Sequence, residues 1–398
     1  MPLSNLLASV ASDALTDLSS VSTQTLTVVA AGSPSSRTNS DESSALSTAY
    51  TLNESLKTFE LLPPSHTGKV EGVVVQHEIV LKESPGQGLG LYALAKIPAG
   101  SLVLAEEPLL VASAIGSRRY QSIREAFSRL TEDQQKKYLA LAASPQVVES
   151  FRSWDENKGP DGDERARVHA IEATNAWQWH NDNRAVLFLG SRLNSSCYPN
   201  VSTFVPIGGN AMQFVACADI AAGEELTVTY IDSKILLPRS ERQELLKATW
   251  QFDCRCEACE DSGAALVQER RRKVIREVKG RDCRFVCNNE NEADWKEYRD
   301  RAAALVELLQ DEPYILPDRI MACMSMAKYA KHNNDALEAL RWVGRGQRLL
   351  RERRGECHWM LATLDEAAKG LREAIEKMCR ITNLDIPQLG LNDWEFLD

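Results

Sequence analysis

Three thiols crowded into Phe252-Asp253-Cys254-Arg255-Cys256-Glu257-Ala258-Cys259 constrain what this chain can fold into more than any other stretch. The spacing suits metal binding. A structural zinc site takes four ligands in a tetrahedron, so a fourth sulfur or imidazole must arrive from elsewhere in the fold. The candidate is Cys197, in Arg192-Leu193-Asn194-Ser195-Ser196-Cys197-Tyr198-Pro199-Asn200, a segment shaped like an active-site turn. Between the two lies Gly223-Glu224-Glu225-Leu226-Thr227-Val228-Thr229-Tyr230, an acidic turn running into a short strand that ends on a tyrosine.

The remaining composition narrows the class. A length of 398 residues leaves room for about two to three domains, and 43% hydrophobic residues support a sizeable core. A net charge of -10 argues against a duplex nucleic-acid binder, which needs a strong positive field, and favours basic partners. Ten cysteines without a recognisable secretory leader point to a reducing compartment with metal-bound and free thiols. The expected location is therefore intracellular, in the nucleus, the cytoplasm or both. No apolar run has the length of a membrane span, so no membrane association is expected.

Along the chain, residues 1–70 are rich in Ser and Thr and read as disordered, with one short helix around Leu6 to Leu18. Short strands are expected over Gly72 to Leu81, Leu89 to Ala95 and Ser101 to Val111, punctuated by Gly and Pro. Between Gly116 and Ser144 the apolar residues Ile123, Phe127, Leu130, Tyr138, Leu139 and Leu141 recur at helical steps. A polar loop follows over Trp154 to Glu164, and then a helix from Arg165 to Ala176. From Asp261 onward the pattern is helical, with breaks at Gly280 to Asn291, Asp311 to Pro317, Lys331 to Asp335 and Gly355.

The turn around Asn194, the Gly223 to Tyr230 strand and the Phe252 to Cys259 run, in that order, resemble the carboxy-terminal half of a SET domain, the fold of many protein lysine methyltransferases. Gly86-Gln87-Gly88-Leu89-Gly90-Leu91-Tyr92-Ala93 and Ile97-Pro98-Ala99-Gly100 resemble its opening strand and turn. One defined position departs from the pattern: Ser195 stands where the family has histidine. The chain is most similar to the SET and MYND domain group and its fungal relatives. It has no cysteine in the insert where their MYND finger sits, so that finger is expected to be absent. The resemblance covers roughly Val73 to Cys259 and implies a mixed α+β fold of small sheets. It divides the chain into a SET domain over residues 71–235 with a helical insert at about 112–165, a post-SET zinc knuckle over 236–262, and an all-α lobe over 263–398. The lobe has loosely tetratricopeptide-like spacing.

The resemblance also implies chemistry. Methyl transfer from S-adenosyl-L-methionine to a lysine amine is an in-line displacement that depends on alignment and exclusion of water. Tyr230 becomes the catalytic residue, also bordering the cofactor; the alternative is a strand tyrosine buried for its ring. Val228, two residues back on the same strand face, Trp177 and Trp250 would line the lysine channel, Trp177 alternatively being core and Trp250 alternatively cover for the zinc knuckle. Backbone at Gly88, Leu89 and Gly90, with Gly86 before them, would approach the cofactor closely. Asn194 would hold it through an amide that both donates and accepts, whereas Ser195 is too short to place a ring there. Phe252 would stack on the adenine, or cover the zinc knuckle. Cys197, Cys254, Cys256 and Cys259 would hold a structural zinc that closes the channel roof.

The sequence supports two readings of function: an enzyme that methylates a lysine on a histone or another protein, and a SET-fold scaffold that binds protein partners. Asn194, Tyr230 and the intact cysteine run favour the first; Ser195 favours the second. A zinc-dependent DNA binder fits neither the charge nor the single cysteine cluster. Cys283 and Cys287 read as ordinary thiols. The basic runs Arg270-Arg271-Arg272-Lys273 and Arg351 to Arg354, interspersed with glutamates, read as solvated helix faces.

Overall fold

Small twisted sheets, a helical insert and a helical lobe make up the protein. The computed structural model describes residues 52–53, 58–60, 72–113, 119–154, 157–180, 183–206, 208–279, 292–310, 312, 314, 316–354 and 359–382. The strands are β1 (Leu52–Asn53), β2 (Thr58–Glu60), β3 (Val73–Val75), β4 (Ile79–Ser84), β5 (Gly88–Ala93), β6 (Leu102–Glu106) and β7 (Leu110–Ser113). Four insert helices follow: α1 (Arg119–Ser128), α2 (Glu132–Leu139), α3 (Pro145–Arg152) and α4 (Gly162–Asn175). Strands β8 (Trp177–Gln178), β9 (Asn183–Val186), β10 (Asn194–Ser195), β11 (Val201–Phe204), β12 (Met212–Ala216) and β13 (Thr227–Val228) complete the β region. Helices α5 (Arg239–Trp250), α6 (Gly263–Lys279), α7 (Glu292–Leu308), α8 (Leu316–His332), α9 (Ala336–Arg354) and α10 (Trp359–Thr382) form the rest.

The sheets run β1-β2-β4-β5, β11-β12-β6-β3 and β7-β9-β8, with β10 and β13 as a separate parallel pair. Alternation explains the first of these, because Ile79 and Leu81 of β4 face inward at 0% and 1% exposure while Val80 and Lys82 are partly exposed. The turn into β5 puts Ser84 opposite Gly88, and both Gly86 (φ 75°) and Gly88 (φ 83°) take the left-handed backbone that glycine allows without penalty. Inward side chains from these sheets, among them Leu91, Leu104, Phe214 and Leu226, build one core beneath the site.

The chain region read as disordered lies largely outside the described residues, including the expected helix near Leu6. Within it, however, β1 and β2 pair onto β4, with Phe59 opposite Leu81. Strand addition to a free edge uses backbone groups, which leave little trace in composition. The insert helices depart in two details from the expected outline: α3 is an additional helix, and α4, expected over Arg165 to Ala176, begins at Gly162 inside the expected loop and ends at Asn175. The polar residues His169 and Glu172 interrupt its apolar pattern, yet both are buried. Glu172 is paired with Arg119 at 2.9 Å and Arg184 at 3.0 Å. Helices α6 to α10 pack consecutively, and the gaps between them fall at the breaks expected from Gly, Pro and Asn.

Candidate active site and cysteine centre

The parallel pair β10–β13 brings two of the sequence motifs together, with Asn194 opposite Thr227 and Ser195 opposite Val228. Asn200 locks the pair: its amide nitrogen donates to Glu224 Oε1 and to the Glu225 carbonyl, both at 2.8 Å, and its oxygen accepts from Thr227 N at 2.8 Å. Glu225 in turn accepts from Asn194 Nδ2 at 2.7 Å and from Ser84 Oγ at 3.0 Å. A side chain at residue 90 has no room beside this network, since a Cβ there would lie 2.2 Å from Glu225 Oε1 and 2.9 Å from Asn194 Nδ2. At Gly88, by contrast, nothing lies within 4 Å of that position.

The backbone before Asn194 is held by Glu106 at the end of β6. Its carboxylate, on a residue 2% exposed, accepts from three successive amides: Phe188 N at 2.7 Å, Leu189 N at 3.0 Å and Gly190 N at 2.8 Å. Burial pushes this carboxyl up to about 7 even though those bonds oppose the shift. The turn so anchored leads to Leu193, whose carbonyl accepts the Tyr230 hydroxyl at 2.8 Å. Burial, with the charge of Glu225 adding to it, holds that phenol well above its ordinary range, so it remains a neutral donor. Ser195 is buried, and its hydroxyl accepts from Tyr230 N at 3.3 Å.

Tyr230 faces a cleft of about 470 Å³ whose walls include Trp177, Val228, Trp250 and Tyr314. Trp250 lies 5.3 Å from the Tyr230 ring and Trp177 meets Phe214 edge-on at 5.7 Å. Phe252 is not a wall of this cleft. It meets Tyr230 edge-on at 6.4 Å and packs over the cysteines, whereas Leu89 packs against the sheet core.

The Sγ atoms of Cys197, Cys254, Cys256 and Cys259 lie within 4.8 Å of one another, with Cys259 and Cys197 at 3.7 Å. A tetrahedron of Zn–S bonds near 2.3 Å needs sulfurs about 3.8 Å apart, so the donor set and its spacing suit zinc. The Cys197 amide donates to Cys256 Sγ at 3.3 Å. Hydrogen bonds with Cys197, Cys254 and Cys259 pull Cys256 down, while hydrogen bonds with Cys197, Cys256 and Cys259, followed by burial, push Cys254 up. Around the cluster sit Leu246, Ala258 and Ile231, with Phe252 and Trp250 as partial cover.

Sequence reasoning missed several of these residues. Ser84, Glu106 and Tyr314 carry no motif of their own, although Glu106 stands out as an acid at the end of an apolar strand. The reading of Arg270 to Lys273 as a solvated face holds for Arg270 and Lys273, which are exposed, and is corrected for the two residues between them. Arg272 is 1% exposed and donates to Cys197 O at 2.5 Å, and Arg271 donates to Leu308 O and pairs with Glu312 at 3.1 Å. Cys283 and Cys287 lie outside the described residues, as do the side chains of residues 352–354.

Comparison with known proteins matches residues 88–231 to the SET domain family. A putative SET domain-containing protein L678 of Acanthamoeba polyphaga mimivirus is 30% identical over 213 residues, covering 48% of this chain and 80% of that protein. The histone-lysine N-methyltransferase set5 of Schizosaccharomyces pombe is 29% identical over 194 residues, and the chain spans 54% of its length. The histone-lysine N-methyltransferase SMYD3 of Mus musculus is 28% identical over 146 residues, 33% of its length. Among solved structures, the SET domain of LSMT bound to lysine and AdoHcy superposes with a TM-score of 0.34 at 15% identity, over 81% of this chain and 92% of that one. Among the described residues no helix is long and apolar enough to cross a membrane.

Proposed function

Because this chain belongs to the SET domain family, we propose that it is an S-adenosylmethionine-dependent protein lysine N-methyltransferase acting on a histone or another protein. The observation that carries this reading is the placement of Tyr230. Its hydroxyl is fixed on the Leu193 carbonyl at the wall of a cleft bounded by Trp177, Val228 and Trp250.

S-adenosylmethionine supplies a methyl group on a sulfonium. On the protein side, Gly88 offers open space for close approach, with Leu89 and Gly90 continuing the same strand. Asn194 is pre-oriented by Glu225, so its amide is in place before any ligand arrives. Phe252 and Ser195 complete the cofactor-side group, Ser195 acting through the Tyr230 backbone rather than through a ring. The aromatic walls strip water from a lysine side chain entering the cleft, and desolvation lowers its affinity for a proton. Tyr230 then orients the neutral amine. Cys197, Cys254, Cys256 and Cys259 are read as the ligands of a structural zinc with no open position.

The test is Tyr230→Phe, which keeps the ring packing and removes the hydroxyl. Methyl transfer to a histone panel, followed with labelled cofactor, is expected to fall by about a hundredfold or more. Near-wild-type transfer would remove Tyr230 from this role. The buried Ser195 favours one second reading, a scaffold that keeps the fold without binding cofactor. Calorimetric titration with S-adenosylmethionine separates the two, since a scaffold shows no binding heat.

A further inference from the structure

Arg242 and Arg272 head the large fully buried side chains of the described residues, and both lie against the cysteine centre. Their charges are handled differently. Arg242 donates to Glu269 Oε2 at 3.0 Å, to Leu237 O at 2.5 Å and to Ala258 O at 3.2 Å, so a carboxylate balances it, and its charge also acts on the Cys197 thiol. Arg272 donates to Cys197 O at 2.5 Å and to the Tyr314 hydroxyl at 3.1 Å, and among the described residues no carboxylate lies within ion-pair distance of it. Its Nε and Nη1 are buried without a hydrogen-bond partner. An unbalanced buried guanidinium is costly, and one of its two partners is the backbone carbonyl of Cys197, a member of the four-thiol set. With zinc bound, four thiolates around one divalent ion carry a net charge of two minus.

We propose that Arg272 supplies, beside Arg242, a counter-charge to the four-cysteine centre and is the residue through which that centre docks the helical lobe. The inference rests on reading the four thiols as zinc ligands. Arg272 belongs to α6 of the lobe, whereas Cys197 belongs to the turn that follows Asn194. Its second hydrogen bond fixes Tyr314, which packs edge-on against Tyr198 at 4.9 Å and forms part of the cleft wall. One guanidinium therefore links three things: the charge of the metal centre, the position of α6 and a wall of the proposed substrate cleft. Arg272 is a positioning residue in this scheme, since it touches neither the cleft's reacting groups nor a thiol directly.

The experiment measures zinc release from the full-length protein to excess EDTA, followed with a colorimetric zinc indicator, for wild type, Arg272→Met, Arg272→Lys and Arg271→Met. Release from Arg272→Met is expected to be at least about tenfold faster, the effect of losing a partner that supports a metal site from outside its ligands. Arg272→Lys, which keeps the charge, should stay much closer to wild type. Arg271→Met, which loses contacts to Leu308 and Glu312 on the same helix, should match wild type. Equal release from wild type and Arg272→Met overturns the proposal, and equally fast release from the Lys and Met variants overturns its charge component. Wild-type protein purified without zinc removes the metal reading itself, a distinguishable failure. If Arg272→Met does not fold, hydrogen exchange of wild type with and without EDTA decides: α6 and the Tyr314 region should lose protection while α1 to α4 keep theirs, and unchanged protection in α6 overturns the proposal.

Discussion

On one flank of Tyr230 the polypeptide itself supplies the partners of the key polar side chains. Asn194 is matched by Glu225, Glu225 by Ser84, and the preceding turn by Glu106. On the other flank four thiols meet within 4.8 Å, backed by the Arg272 guanidinium, which among the described residues has no carboxylate within ion-pair distance. The first flank is held by a network of side-chain and backbone hydrogen bonds; in the second the guanidinium meets negative charge only when a cation turns the thiols into thiolates. The same tyrosine is thus positioned by two kinds of support, one expected to be indifferent to metal and one dependent on it.

Cys256 offers the sharpest break between the flanks. Replacing it by serine removes one member of a buried charged set, with an expected loss of about 3–5 kcal/mol, and the protein should no longer hold about one zinc per chain. Urea unfolding and metal analysis check both, and an unchanged midpoint would place the two flanks on the same footing. Next in size is the pH response of the hydrogen-bonded flank. The Glu106 carboxyl, ordinarily near 4.5, sits at about 7 in the folded protein, so the folded state holds a proton that the unfolded state has lost between those values. That contribution is fully present below the unfolded value and disappears as pH rises through 7, a change of about 3 kcal/mol. Wild type minus Glu106→Gln, compared by urea unfolding at pH 5 and pH 7.5, should show this slope; parallel curves count against it. The smallest effect is Gly90→Ala, whose methyl group meets Glu225 and Asn194. An overpacking cost of about 1–3 kcal/mol is expected, together with weaker cofactor binding and unaltered zinc content. Zinc loss in this variant would show that the flanks are not independent.

How much of this is readable from the chain follows from how local each signal is. The cysteine run, the Asn194 turn and the Gly223 to Tyr230 segment are each written in consecutive residues, although the strand in the last ends at Val228, two residues short of the expected Tyr230. Helix breaks in the lobe are legible because Gly, Pro and Asn act on their own backbone. Glu106 is not legible, because its partners are three backbone amides that any residues could supply. Arg272 escapes for a related reason. A charged residue among charged neighbours on a helix is ordinarily solvated, and only the packing of α6 on the Cys197 turn takes it out of water.

Residue types at short, fixed spacing were enough to set the family, the four candidate sulfurs and the candidate tyrosine just past β13. It took the folded chain to establish that Glu106 grips the turn before Asn194, that Ser195 spends its hydroxyl on the Tyr230 backbone, and that Tyr314 walls the cleft. Each of these joins segments distant in the chain, often through backbone donors and acceptors. Such contacts come from where the chain folds back on itself, which no local pattern of side chains records.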